Sequence, residues 1–262
     1  MYTVNDYYIA QTPKEAAELL AKSRRNRIIG GGMWMRLGNA GYGTLIDISG
    51  LGFDKIEYDE KEIRIGAMVT LRELEKCGLL QTEFDGIIPK CVRDIVGVQF
   101  RNMATLGGSI FLRAGFSDII CALLALDTYV CIYDREPVSL MEFLEAPREK
   151  VLVTHIVIKR DGRHAGYASL RRTRTDFSVL NVCVSHKEEA DSDYRVCVGA
   201  RPGRAVRCGE AEECLNAGDT DGAKKAVKGL YFGKNLRGSA SYRRSMSAVL
   251  LQAAAGFGKD EE

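Results

Sequence analysis

Two glycine segments and one carboxylate carry the strongest chemical signals in this chain. Gly30-Gly31-Gly32 follows an apolar run, and Ala104-Thr105-Leu106-Gly107-Gly108-Ser109-Ile110 sets two hydroxyls around a glycine pair. Ser117-Asp118 comes next, with its carboxylate nine residues beyond Ser109. Glycine has no Cβ, so a backbone built from it can lie directly against a ligand. Hydroxyls and amides beside such a backbone suit phosphate and ribityl oxygens. Two turns of this kind predict a large phosphorylated ligand gripped at two points, with the turns facing one another. Asp118 has a plainer use as a helix cap, worth about 1 kcal/mol, beside a use as acceptor for ligand hydroxyls.

The first turn has three readings: a Rossmann site, a structural turn and a phosphate cradle of another kind. The dinucleotide fingerprint G-x-G-x-x-G needs a glycine where this chain has Met35, and the glycine-studded stretch from Met33 to Gly43 reads as loop rather than helix. Other chemistry is poorly represented. The eight cysteines form no C-x-x-C pair and are irregularly spaced, unlike zinc or iron–sulfur ligands. They read as reduced, mostly buried filler in a cytoplasmic protein. His155, His164 and His186 lack metal-ligand spacing, and no Ser-His-Asp or Cys-His set stands out. A net charge of +2 gives no footprint for nucleic acid. The clusters Arg171, Arg172, Arg174 and Arg201, Arg204, Arg207 read as solvated faces, or as docking sites for an acidic subunit or a nicotinamide dinucleotide. The longest apolar stretch, Ile119 to Ile132, is interrupted by Asp127 and too short to span a bilayer.

The elements that position these residues follow from pattern and caps. Tyr7–Ala10, Arg27–Ile29 and Leu45–Ile48 read as strands of a β-α-β-loop-β opening, with parallel pairing. Thr12-Pro13-Lys14-Glu15, Thr70-Leu71-Arg72-Glu73 and Ser139-Leu140-Met141-Glu142 are capping boxes that open helices. Gly78 is expected to end the second of these. Glu62–Ile65, Thr128–Tyr133 and Val151–Ile158 read as strands, and Ile119–Leu126 as a buried helix capped by Ser117 or Asp118. Tyr167–Leu170, Ser178–Ser185 and Tyr194–Ala200 predict an antiparallel sheet, followed by helices near 209–216 and 239–255. Gly258 to Glu262 are expected to fray.

The run Gln99-Phe100-Arg101-Asn102-Met103-Ala104-Thr105-Leu106-Gly107-Gly108-Ser109-Ile110, then Ser117-Asp118 and Leu123-Leu124-Ala125-Leu126-Asp127, closely resembles the FAD-binding medium subunit of molybdenum hydroxylases of the xanthine dehydrogenase and carbon monoxide dehydrogenase type. Arg64-Ile65-Gly66-Ala67, Val196-Cys197-Val198-Gly199-Ala200, Glu210-Ala211-Glu212 and Leu236 to Arg244 resemble its other regions. The resemblance implies an α+β fold: a two-lobed PCMH-type FAD-binding domain over 1–160, with lobes about 1–55 and 56–160, and a C-terminal domain over 161–262 with an antiparallel sheet and helices.

It also implies roles. The first turn, Ile29, Gly30, Gly31, Gly32, Met33 and Trp34, would hold the FAD pyrophosphate through its amides. Thr105, Gly107, Gly108 and Ser109 would reach the pyrophosphate or ribityl chain. Ser117 and Asp118 would serve ribityl or ribose hydroxyls, and Arg171 would approach the isoalloxazine where the family often has Lys. The partners implied are a molybdopterin-binding large subunit and a small subunit with two 2Fe-2S clusters, with NAD or another acceptor taking the electrons, and neither nucleic acid nor membrane. The first turn departs from the family's usual A-G-G-[TS]-D, since Met33-Trp34 supplies neither hydroxyl nor carboxylate, and the usual Asn of G-G-N is Ser109. Losing those hydrogen bonds costs roughly 1–3 kcal/mol. Two rivals follow: a stand-alone NAD-binding reductase, and a flavin-free subunit kept as an assembly scaffold.

Overall fold

The computed structural model describes residues 2–187 and 193–256; the expected fraying of Gly258 to Glu262 lies outside them. The chain opens with β1 (Thr3–Ile9), α1 (Pro13–Lys22), β2 (Arg27–Ile29), β3 (Gly41–Asp47), β4 (Ile56–Tyr58) and β5 (Glu62–Gly66). Six helices follow: α2 (Leu71–Lys76), α3 (Gly78–Thr82), α4 (Ile87–Val92), α5 (Val98–Met103), α6 (Leu106–Leu112) and α7 (Asp118–Leu124). Then come β6 (Thr128–Ile132), β7 (Val138–Ser139), α8 (Leu140–Glu145) and β8 (Val153–Lys159). The remainder holds β9 (His164–Leu170), β10 (Leu180–His186), β11 (Arg195–Gly199), β12 (Val206–Arg207), α9 (Gly209–Asn216), α10 (Thr220–Gly229) and α11 (Ala240–Ala255).

These elements form two compact units that no single cut of the chain separates. One contains 1–73, 98–112 and 128–159; the other contains 74–97, 113–127 and 160–262. In the first unit β1-β3-β2 make a parallel sheet and β4-β5-β8-β6-β7 an antiparallel one. Thr12 caps α1 by accepting the Glu15 amide at 3.2 Å, and the Glu15 carboxylate takes the Gln11 amide at 2.7 Å. Pro13 suits the first helical position because the missing N–H has no partner to lose there. Ala16 and Leu20 then face inward to join Ala10, Ile46, Ile48, Phe53 and Leu152 in a core cluster. The boxes at Thr70 and Ser139 are reciprocal, with Glu73 and Glu142 returning to the capping amides. Gly78 does not end a helix: α2 stops at Lys76 and Gly78 begins α3.

In the second unit β9 to β12 form an antiparallel sheet in the order β12-β11-β10-β9. Leu180, Val182 and Val184 of β10 pack into a core with Ala211, Val227 and Leu251 of α9, α10 and α11. The alternate residues Asn181, Cys183 and Ser185 point to the opposite face, as a period of two requires. There Asn181 and Ser185 bond to Asp118 and to the Ala125 carbonyl. α10 has no counterpart among the predicted helices. It starts on Asp219, whose carboxylate accepts the Gly222 amide at 2.7 Å, and it buries only Ala223 and Val227.

Candidate cofactor-binding site

β2 runs straight into the first glycine segment. Gly32 holds φ at +65°, a left-handed conformation that strains any side chain. Its carbonyl accepts the Arg36 amide at 3.1 Å, and the chain passes into a 3-10 turn over Met35–Leu37. A Rossmann site places an α-helix N-terminus directly behind its glycines; this segment has none, which removes that reading. At Gly31 a Cβ would overlap the Met103 carbonyl, and at Gly30 it would lie 2.6 Å from Thr105 Oγ1. The two glycine segments therefore abut, backbone against backbone. Among the described residues, the amides of Gly31, Gly32 and Met33 donate to no protein acceptor. Successive free N–H groups around a left-handed glycine make a concavity suited to an anion.

The second segment behaves differently from its expected form. Gly107 and Gly108 lie in the first turn of α6 rather than in an open turn. Thr105 caps that helix: its Oγ1 accepts the Gly108 amide at 3.2 Å and its carbonyl the Ser109 amide at 3.0 Å. The Leu106 and Gly107 amides go to the Val69 and Ala67 carbonyls, both at 2.8 Å. Every amide from 106 to 109 is thus occupied, and the Ser109 hydroxyl is returned to the Thr105 carbonyl at 2.9 Å. The expected convergence of these amides on one anion is corrected, because helix capping and strand-like pairing consume them. Gly107 is a close-approach position, where a Cβ would stand 2.6 Å from Ala67 Cβ. Gly108 is less crowded: a Cβ there would press on Thr105 Oγ1 alone, at 2.9 Å.

A cavity of the first unit is lined by Gly30, Thr105, Gly107 and Gly108 together with Leu20, Ile28, Ile48, Ala67, Met68, Phe111, Val151 and Val153. Arg27 and Lys150 are the charged residues of that lining, and neither was singled out in the sequence. Burial and the neighbouring Arg27 both pull the Lys150 pKa down. Ile29, at the end of β2, and Gly31, Gly32, Met33 and Trp34 of the loop after it do not line the cavity.

Ser117, Asp118 and Arg171 belong to the second unit. Ser117 caps α7 by accepting the Ile120 amide at 3.3 Å. Asp118 is 2% exposed, and its carboxylate is committed to protein groups. Oδ1 accepts from the Tyr167 hydroxyl at 2.5 Å, from Asn181 Nδ2 at 2.8 Å and from the Ser178 hydroxyl. Oδ2 pairs with Arg171 at 3.0 Å. Burial and the adjacent carboxylate push the Tyr167 phenol well up, which keeps it a donor. For Arg171 burial opposes the charge, but Asp118, Tyr167 and Asp94 together outweigh it and the pKa rises. Arg171 also donates to the Asp176 carbonyl at 2.5 Å, leaving its buried Nε without a hydrogen-bond partner. The partners of Asp118 lie 49 to 63 residues away in sequence, so only the alternation Leu180-Asn181-Val182 hinted that a polar group would face α7.

The model of the FAD binding domain in molybdopterin dehydrogenase matches residues 2–160, more than half of the 262. The chain belongs to this family. Within its sequence range, it is 26% identical over 262 aligned residues to the nicotine 6-hydroxylase medium subunit of Paenarthrobacter nicotinovorans, covering 91% of this chain and 92% of that one. It is 27% identical over 211 residues to the uncharacterized protein YgfM of Escherichia coli K12, covering 79% and 76%. Its fold superposes on a chain of carbon monoxide dehydrogenase from Hydrogenophaga pseudoflava with a TM-score of 0.88 at 19% identity, over 98% and 97% of the two chains. As a member of the molybdopterin dehydrogenase FAD-binding family, the protein is an oxidoreductase component, and FAD is its cofactor. Among the described residues, no helix is long and apolar enough to cross a membrane.

Proposed function

We propose that this chain is the electron-relay subunit of a molybdopterin-dependent hydroxylase or dehydrogenase. It would work between 2Fe-2S clusters on a small partner subunit and NAD or another acceptor, beside a molybdopterin-binding large subunit. In this reading residues 1–160 supply the flavin-binding sequence and 161–262 a C-terminal domain. The observation that carries it is the unspent row of amides at Gly31, Gly32 and Met33, held against the second glycine segment by a contact that admits no Cβ. Those amides suit the FAD diphosphate, whose oxygens accept and never donate. They do so without the hydroxyl and carboxylate that Met33 and Trp34 replace. Bound FAD supplies redox chemistry that couples single-electron donors to a two-electron acceptor.

The chain's own part is to bind, orient and exclude water. The Thr105 Oγ1 accepts the Gly108 amide, and its O–H, which donates to no acceptor among the described residues, would donate to a ligand in the cavity it lines. Gly108 keeps the cavity wall free of a side chain. Ser109 acts by stiffening α6, through the hydroxyl it returns to the Thr105 carbonyl. Asp118 enters through its partners: it fixes the Arg171 guanidinium, the cation assigned to the isoalloxazine, and holds Tyr167 and Asn181 in register. Ser117 sets the start of the helix that carries Asp118.

The purified chain should show flavin absorption, and chromatography of the released nucleotide should give FAD. Gly108→Val should remain folded by circular dichroism yet lose flavin, because a branched side chain would enter the cavity. A wild-type chain that stays colourless after FAD is added overturns the reading and favours the scaffold alternative.

A further inference from the structure

The cavity beside the glycine segments carries an unexplained pair of cations. The Lys150 ammonium is fixed by the Leu20 and Ser23 carbonyls at 2.6 and 2.5 Å, acceptors at the end of α1 that lack intrahelical donors. An ammonium has three donors, so one is left. Arg27 spends a single terminal nitrogen on the Arg24 and Asn26 carbonyls, at 2.6 and 2.8 Å. Among the described residues, its other guanidinium nitrogens make no hydrogen bond, and neither cation has a carboxylate partner. Two like charges on a mostly apolar cavity are disfavoured, and the Lys150 pKa is pulled down first by burial and then by the neighbouring Arg27. Packing needs neither head group at that position. The α1 carbonyls account for part of Lys150 and for nothing of Arg27.

The lining therefore combines flat apolar surface from Ile28, Met68, Phe111 and Val153 with a wall that only donates and a glycine edge. Arg27 and Gly30 are three residues apart on β2 and its end, about 10 Å of extended chain. That is the separation between the acceptor-bearing base and the phosphate of a nucleotide. We propose that Lys150 and Arg27 select the adenosine half of FAD, donating to ring-nitrogen and ribose acceptors, while the base lies on the apolar walls. This rests on the reading in which the glycine segments hold the diphosphate. It makes Lys150 and Arg27 specificity-determining residues for the dinucleotide over the mononucleotide, since FMN lacks the adenosine half.

The test is a pair of fluorescence titrations of the full-length apo chain, with FAD and with FMN, for wild type, Lys150→Met and Arg27→Gln. Wild type should prefer FAD, and ADP should compete with FAD. Each variant should weaken FAD about tenfold, the value of one charge-assisted hydrogen bond, while leaving FMN within about twofold. The FAD-to-FMN ratio is internal to each protein, so general destabilisation would lower both affinities and leave the ratio unchanged. An unchanged ratio in both variants overturns the inference but leaves the diphosphate cradle standing, provided wild type binds FAD. Weakened binding of NADH with FAD untouched also overturns it, assigning the cations to the acceptor instead. Failure of the wild-type chain to bind either flavin removes the cradle along with it.

Discussion

The two glycine segments have similar composition and opposite economies of hydrogen bonding. The first segment leaves the three successive amides of Gly31, Gly32 and Met33 without protein acceptors among the described residues, whereas Leu106–Ser109 has all four of its amides occupied. Both segments need close approach, Gly31 against the Met103 carbonyl and Gly107 against Ala67. Only the first segment combines that approach with free donors. A glycine pair in sequence therefore marks a tight backbone contact, and whether the contact is with a ligand or with the protein depends on where the neighbouring N–H groups go.

The largest effect should come from Gly31→Ala, where the new methyl would meet a backbone carbonyl that cannot swing aside. About 3 kcal/mol of stability should be lost in urea unfolding, and a loss within error would mean that the segments do not abut. Gly107→Ala should cost about 2 kcal/mol by the same measurement, with overpacking against Ala67 as the cause. Gly32→Ala should cost about 1 kcal/mol through its left-handed φ, and should lower FAD retention more than Gly107→Ala does at equal stability. Reversal of that order would move the anion site to the second segment. At the small end, Ser109→Ala should change stability by no more than about 0.5 kcal/mol and leave flavin binding intact, because its hydroxyl serves only α6. A clear loss of FAD in Ser109→Ala would show that the hydroxyl leaves the helix to meet the cofactor.

Much of the fold was legible because its signals are local. The capping boxes at Thr70 and Ser139 open helices as read, while at Thr12 the cap forms but Glu15 returns to Gln11 instead; β2 spans Arg27–Ile29 as read, and the sheet of β9 to β11 is antiparallel. The glycine content of the second segment hid α6, because intrinsic propensity disfavours Gly-Gly in a helix while pairing with Ala67 and Val69 overrides it. α10 was missed for a related reason: Thr220-Asp221-Gly222 reads as a turn, and just two small residues anchor the helix. For the site, the residue types at the two turns were readable, but the state of their donors was not. Thr105, Ser109 and Asp118 look available in a linear text. Their partners are set by capping geometry and by strands dozens of residues downstream.

Asp118 also bears on how modular this protein is. A fragment ending at residue 160, where the family match stops, would retain the acid while shedding Tyr167, Arg171, Ser178 and Asn181, the four groups that neutralise and ligate it. The flavin-binding half thus inherits an anionic debt settled by the other half. A graft or fusion that exchanges the C-terminal hundred residues must bring a matching set of donors, or replace Asp118 at the same time.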